Sequence, residues 1–344
     1  SAVALRHAPA GAAPRGKPLE LAAATRGKPL EVRGVTMGKY KIFVDGSSGT
    51  TGLRIADRLA ERDEFEILKI SEADRKDVRA RAAVINESDL SFLCLPDDAA
   101  REVVPLLRDD VRILDTSTAH RTALGWVYGL PELHGTREAL KTATRVAVPG
   151  CHATGFIAPV APLVELGIIP KAAHLNVTSL TGYSGGGKKM IAEYESEDKS
   201  PLLFAPRQYG LTQQHKHLKE MKGITGIENA PIFCPVVDDF YSGMQVTVPL
   251  FAEQISCSSS EIADIYRAKY QGPVVTFCDK SDNDGFLCAG ALSGTDGMKI
   301  SVYGNDERIL LTAVYDNLGK GASGAALENL NLVMGKDKAF GLDI

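Results

Sequence analysis

The sequence predicts an α/β fold in two parts: a doubly wound, parallel-sheet domain over residues 38–150, and a mixed α+β domain over residues 151–319. Three observations carry this expectation. Buried strands alternate with helical apolar faces between residues 39 and 115, the signature of a parallel sheet covered on both sides. A glycine-rich turn, Gly46-Ser47-Ser48-Gly49-Thr50-Thr51-Gly52, joins the first strand to the first helix. From Lys171 onward strand-like runs recur with fewer helices between them.

The composition sets bounds on function. With 44% hydrophobic and 24% charged residues the chain reads as an ordinary globular protein. A net charge of −4 offers no basic excess for a nucleic-acid surface. No apolar run approaches the ~20 residues that cross a bilayer. Six cysteines, at 94, 151, 234, 257, 278 and 288, show no paired spacing, the usage of a reduced, cytoplasmic protein. Residues 1–37 stand apart. They are rich in Ala, Gly, Pro and Arg, and repeat Arg-Gly-Lys-Pro-Leu-Glu at 15–20 and 26–31. They read as an appended leader or a basic targeting segment, and Met37, just before the first strand, favours the leader.

In chain order, Lys39–Val44 reads as a buried strand, and Leu53, Ala56 and Leu59 give the following helix its face. In a Rossmann-type turn the first glycine allows the bend, the second lets backbone approach a pyrophosphate, and the third brings helix and strand together. The spacing here is G-x-x-G-x-x-G, compatible also with a plain βα turn. Glu66–Ile70 is the second strand. Beyond it Ser71 and Arg75 suit a 2′-phosphate, hence NADP, although Glu72 and Lys76 make a solvated loop equally consistent. Ser91–Leu95 and Val111–Asp115 are further strands, the latter leading into Thr116-Ser-Thr-Ala-His-Arg121.

Val146–Val148 stops at Pro149-Gly150, and Cys151 opens an apolar segment carrying Ile157, Val160, Ala161 and Val164. A thiol at a helix start meets free N–H groups and the positive end of the dipole, which favour thiolate. A lone cysteine is also a common core residue. Pro159 and Pro162 argue for a kinked or delayed helix start. Later strands are expected at 174–180, 231–237, 243–251, 274–277, 299–303 and 308–314, with a final helix over 321–334. The H-x-H pair at 215 and 217 could ligate a metal, but no third ligand has the necessary spacing, so none is expected. Gly182–Gly187 reads either as part of a site or as a solvent loop.

Several separated motifs agree with one family. Gly46–Gly52, Asp115-Thr-Ser-Thr-Ala-His-Arg121, Tyr128-Gly-Leu-Pro-Glu132 and Val148-Pro-Gly-Cys-His-Ala-Thr-Gly155 are joined by Gly182-Tyr-Ser-Gly-Gly-Gly-Lys188, His215-Lys-His-Leu-Lys-Glu220 and Asn317-Leu-Gly-Lys-Gly-Ala-Ser-Gly324. From about residue 38 to its C-terminus the chain resembles the N-acetyl-γ-glutamyl-phosphate reductases, most closely their shorter bacterial type. Lys219 departs from the pattern, since a proline often precedes that glutamate in the family.

The resemblance implies the two-domain plan of the aspartate-semialdehyde dehydrogenase-like reductases, with the C-terminal helix (320–344) packing back on the NADP domain. It implies Cys151 as nucleophile, with His217 as acid/base and His215 as the alternative. It gives Arg121 and Ser117 to the substrate phosphate, with Gly182 and Lys188 beside the substrate. It assigns the glycine turn, Ser71, Arg75, Ser184, Gly185 and Asn317 to NADP. A homodimer or homotetramer is implied. A thiolate suits such chemistry because it forms a thioester that accepts hydride readily. A histidine near neutrality covers the proton steps, and an imidazolium partner would favour the thiolate. Two other readings remain: aspartate-semialdehyde dehydrogenase, whose Arg-x-Pro…Gly-His context is missing, and a silent NADP-binding regulator, which would lack the thiol or the base.

Overall fold

A computed structural model describes Gly27 and residues 38–344, so the predicted leader lies, Gly27 apart, outside the described residues. β1 (Tyr40–Asp45) is buried along nearly its whole length, as a central parallel strand must be. Gly46 then takes a φ of +86°, and a Cβ there would stand 2.3 Å from the Cys94 carbonyl oxygen. Only glycine makes this turn. α1 (Thr50–Ala60) starts at once and buries Gly52, Ile55 and Leu59. The buried stripe is rotated from the expected one: Leu53 faces solvent.

β2 (Phe65–Ile67), α2 (Val78–Glu87), β3 (Leu90–Leu93), α3 (Asp97–Val103), β4 (Arg112–Asp115), β5 (Val127–Tyr128), α4 (Thr136–Leu140) and β6 (Arg145–Ala147) complete the first domain. Its six strands lie in the order β2-β1-β3-β4-β6-β5, all pairs parallel. Ligand sites in such sheets sit outside the carboxyl ends of the strands. β2 is shorter than the expected 66–70 because pairing with β1 ends at Ile42↔Ile67, which leaves Lys69 off the edge.

α5 (Cys151–Glu165) follows without delay, contrary to the proline expectation. Pro162 cannot donate to the Ala158 carbonyl, and the Tyr270 hydroxyl does so instead; the Tyr266 hydroxyl donates to the neighbouring Pro159 carbonyl. The helix is sheathed, with Phe156, Ile157, Val160 and Leu163 all buried.

The second domain adds β7 (Asn176–Gly182), α6 (Gly187–Glu195), β8 (Arg207–Gln208), α7 (His217–Thr225), β9 (Ile232–Asp238), β10 (Met244–Phe251), α8 (Ser259–Lys269), β11 (Val275–Phe277), β12 (Met298–Gly304) and β13 (Arg308–Tyr315). A mixed seven-stranded sheet results, in the order β11-β12-β13-β10-β7-β9-β8. α5 and α8 cover one face. On the other, Ile232, Phe251 and Leu310 remain exposed.

From β13 the chain passes through a π-helical stretch, Gly319–Ser323, into α9 (Gly324–Val333), so the final helix starts three residues later than expected. Ala325, Ala326 and Leu330 pack with Tyr40, Ile42 and Leu114 of the first sheet. Under the stretch lies a buried ionic cluster: Lys320 Nζ stands 3.0 Å from Glu132 Oε2 and 2.5 Å from Glu328 Oε2. Removing the cation would leave two buried carboxylates underpaired, a loss on the scale of 3–5 kcal/mol. Lys320→Met should therefore lower the urea midpoint markedly at pH 7, and less at acidic pH, where the carboxylates take up protons. Equal midpoints at pH 7 would show that the cluster adds nothing to stability.

Candidate active site

Cys151 is the first residue of α5, set there by the Pro149-Gly150 turn. The Tyr315 hydroxyl is inserted into the helix's first turn, donating to the Cys151 carbonyl and accepting from Gly155 N–H at 3.1 Å. Gly150 is pressed between Arg121 and His217, where a Cβ would meet Arg121 Nη1 at 2.3 Å and His217 Nε2 at 2.4 Å. Its N–H donates to Glu220 Oε1 at 2.7 Å. The same carboxylate accepts from the Tyr128 hydroxyl at 2.6 Å and from Arg121 Nη1 at 3.0 Å. Across the thiol, Gly321 of the π-stretch closes on the Cys151 Cβ.

The electrostatics differ from the expected imidazolium–thiolate pair. Burial pushes the Cys151 thiol above its ordinary value, opposed mainly by the Arg121 guanidinium and then by the His152 backbone N–H. His217 is held well below the usual histidine range, first by burial and then by its cationic and imidazole neighbours. Both shifts favour the neutral thiol and the neutral imidazole. Burial is the largest influence on both groups.

Two chambers meet at the thiol. The larger, about 510 Å³, runs from Thr50 and Thr51 at the start of α1, past Pro96, Ser117 and Thr118, to Cys151, Ser184, Gly185, Asn317 and Gly321. The smaller, about 150 Å³, is lined by Thr181, Gly182, Met190, Tyr209, His215 and Val237. Cys151, Gly185, Lys216 and His217 line both.

The larger chamber fits a dinucleotide. α1 has no side-chain cap and no acidic residue in its first turn, so its N–H groups lack side-chain acceptors where a pyrophosphate would bind. At the other end Asn317 is fixed, donating to Ser184 Oγ at 2.9 Å and accepting from Gly243 N–H at 2.9 Å. Ser47 and Ser48 stand exposed on the rim of the turn.

Other expected residues lie differently. Ser71 is tied to Asp74 at 2.7 Å and Arg75 to Glu72 at 3.0 Å, on an exposed turn outside both chambers. Lys188 is exposed and lines neither chamber. α6 turns Met190 and Tyr194 inward, and a residue two positions before Met190 faces away from them. Arg121 lines the larger chamber, but not as a free fork: Nε donates to the Val148 carbonyl, Nη2 to that of Thr116, and Nη1 to Glu220. Ser117 donates to Asp115, whose carboxylate also holds His120 at 2.6 Å.

Sequence reasoning passed over four groups here. Glu220 and Tyr128 sat within quoted motifs, but their meeting needs the fold. His152, expected to point elsewhere, lines the smaller chamber, bonded to Ser179 at 2.7 Å and Tyr209 at 2.6 Å; burial pushes it down to about 3. Lys216, between the two expected histidines, is the fourth. Among the described residues no group of three or more His, Cys, Asp or Glu side chains is placed to hold a metal.

Because Glu220 raises the thiol while Arg121 lowers it, Glu220→Gln should move the pH midpoint of Cys151 alkylation by iodoacetamide downward. An unmoved midpoint would place Glu220 out of electrostatic reach of the sulfur.

Comparison with known proteins matches residues 41–143 to the semialdehyde dehydrogenase NAD-binding domain and residues 151–317 to the semialdehyde dehydrogenase dimerisation domain. N-acetyl-gamma-glutamyl-phosphate reductase 2 of Nostoc sp. is 46% identical over 320 residues, covering 88% of this chain and 99% of that protein. The N-acetyl-gamma-glutamyl-phosphate reductase of Brucella ovis is 43% identical over 309 residues, covering 87% of this chain and all of its own length. In structure the chain is similar to aspartate semialdehyde dehydrogenase II of Vibrio cholerae, solved with ASA (TM-score 0.65, 16% identity, 87% and 99% of the two chains). It is also similar to the aspartate semialdehyde dehydrogenase of Candida albicans solved with NADP (TM-score 0.59, 15% identity, 87% and 99%).

Proposed function

The chain belongs to the N-acetyl-γ-glutamyl-phosphate reductase family, and from that premise we propose how its residues carry the family's reaction. The enzyme reduces N-acetyl-glutamyl 5-phosphate to N-acetyl-glutamate 5-semialdehyde, with release of phosphate, in arginine biosynthesis. The observation that carries the residue roles is the placing of Cys151 and His217 together where the two chambers meet.

His217, neutral at rest, takes the Cys151 proton as sulfur attacks the acyl carbonyl; the C–O bond to phosphate breaks and a thioester forms. His217 is favoured over His215, which lines only the smaller chamber. Starting from a neutral pair keeps the resting thiol unionised and forms the ion pair only as substrate reacts. The α5 N–H groups face the carbonyl oxygen as it gains charge, an effect worth ~3 kcal/mol per donor. Bound NADPH supplies the hydride that reduces the thioester carbon. The imidazolium of His217 protonates the resulting oxygen, and that proton returns to sulfur through His217 as the C–S bond breaks and the aldehyde leaves. Arg121 positions rather than reacts: with Glu220 it fixes Gly150, and so the start of α5.

The glycine turn, Thr50 and Thr51 hold the pyrophosphate, and Ser184, Gly185 and Asn317 the nicotinamide half. The turn bearing Ser71 and Arg75 is offered to the 2′-phosphate. The exposed apolar face of the seven-stranded sheet, in the region matched to a dimerisation domain, pairs two copies into a homodimer or a homotetramer built from it. The enzyme works in the cytoplasm, as its place in amino-acid biosynthesis suggests; no helix among the described residues is long and apolar enough to cross a membrane.

Cys151→Ser should fold and bind NADPH yet lose turnover by about a thousandfold or more, the scale on which nucleophile removal acts. Mass spectrometry of enzyme mixed with substrate alone should find the acyl group on the peptide containing Cys151. An adduct elsewhere, or equal turnover with aspartate semialdehyde in the reverse direction, would overturn the reading.

A further inference from the structure

An acyl phosphate brings two negative charges or nearly so to the sulfur, and something must meet them. Among the described lysines and arginines only Arg121 and Lys216 line the chambers at Cys151. Arg121 already gives one N–H from each of its three nitrogens to a protein acceptor, and Glu220 answers part of its charge. Lys216 is exposed into the chambers and shows no hydrogen bond or ion pair to a described residue. We infer that Lys216 is the group that holds the phosphoryl end of the substrate at Cys151, and equally the inorganic phosphate of the reverse reaction. This rests on the function proposed above.

Position selects the phosphoryl group over the substrate's carboxylate. The four residues common to both chambers are Cys151, Gly185, Lys216 and His217. Lys216 therefore stands beside the reacting carbon, to which phosphate is bonded, whereas the acyl tail extends into one chamber only. The larger chamber takes the cofactor, which leaves the smaller one, with Met190, Tyr209 and Val237, to the tail. The charge of Lys216 reaches Cys151, His215 and His217 as well as Asp97, as that junction requires. A lysine ammonium, a flexible point charge, can follow phosphate as the C–O bond lengthens and then let it go. Lys216 directly precedes α7, so the anion would also face the first turn of that helix.

The test compares wild type with Lys216→Ala in the reverse direction, using N-acetylglutamate semialdehyde, NADP and inorganic phosphate. There phosphate oxygen attacks the thioester carbonyl, the C–S bond breaks and the acyl phosphate leaves. The KM for phosphate should rise about tenfold or more, while those for aldehyde and NADP stay within about twofold. Lys216→Arg should recover most of the loss. Phosphate should also protect Cys151 from iodoacetamide in the wild type and not in Lys216→Ala. An unchanged phosphate KM overturns the inference, and a raised aldehyde KM with it would assign Lys216 to the carboxylate. Should wild type reduce no NADP with this aldehyde, the proposed function falls; protection by phosphate then still decides the role of Lys216.

Discussion

The site depends on one carboxylate. Glu220, almost wholly buried on α7, accepts from the Gly150 N–H, the Tyr128 hydroxyl and the Arg121 guanidinium. A buried carboxylate is tolerable only with such a set of donors, and each of these donors belongs to a different piece of the first domain or its boundary. Gly150 precedes the nucleophile, Tyr128 is on the edge strand β5, and Arg121 lies in the loop between β4 and β5. The second domain thus places its own anion at the end of the first domain's sheet. The interface between domains and the geometry of the thiol are a single arrangement.

This arrangement explains why the nucleophile is not charged in advance. The same burial that makes Glu220 bind its donors firmly also disfavours an isolated thiolate and an isolated imidazolium. Arg121 lies close enough to favour negative sulfur, but part of its charge is answered by Glu220. The balance favours the neutral forms of both Cys151 and His217.

The sequence shows what is local. A strand, a turn that needs φ of +86° and a helix can be read from adjacent residues, and so can a thiol at a helix start after Pro149-Gly150. The prolines of α5 misled, because the carbonyl that Pro162 leaves without a helical donor is served by the Tyr270 hydroxyl, more than a hundred residues along the chain. The phosphate fork ascribed to Arg121 was sound chemistry for a free guanidinium. Its engagement with Glu220, 99 residues away, is a property of the fold alone. Lys188 and Lys216 make the same point as a pair: both are lysines within family motifs, and only the facing of α6 and α7 decides which one meets a chamber. His152 was passed over for the same reason, since its partners Ser179 and Tyr209 come from other elements.

The closing of Gly321 over Cys151 has a further consequence. An acyl group on sulfur can be taken by water as well as reduced, and the first outcome would return the free acid and waste the phosphorylation that activated it. A roof of backbone against the thiol, with a cofactor filling the larger chamber, leaves little room for a competing water. Gly321 lies in the π-helical stretch, and a side chain there would meet the Cys151 Cβ at 3.0 Å, so a glycine is what lets the backbone lie against the nucleophile. In that sense conserving the energy of the acyl phosphate bond would fall to a feature of the backbone rather than to any reactive side chain.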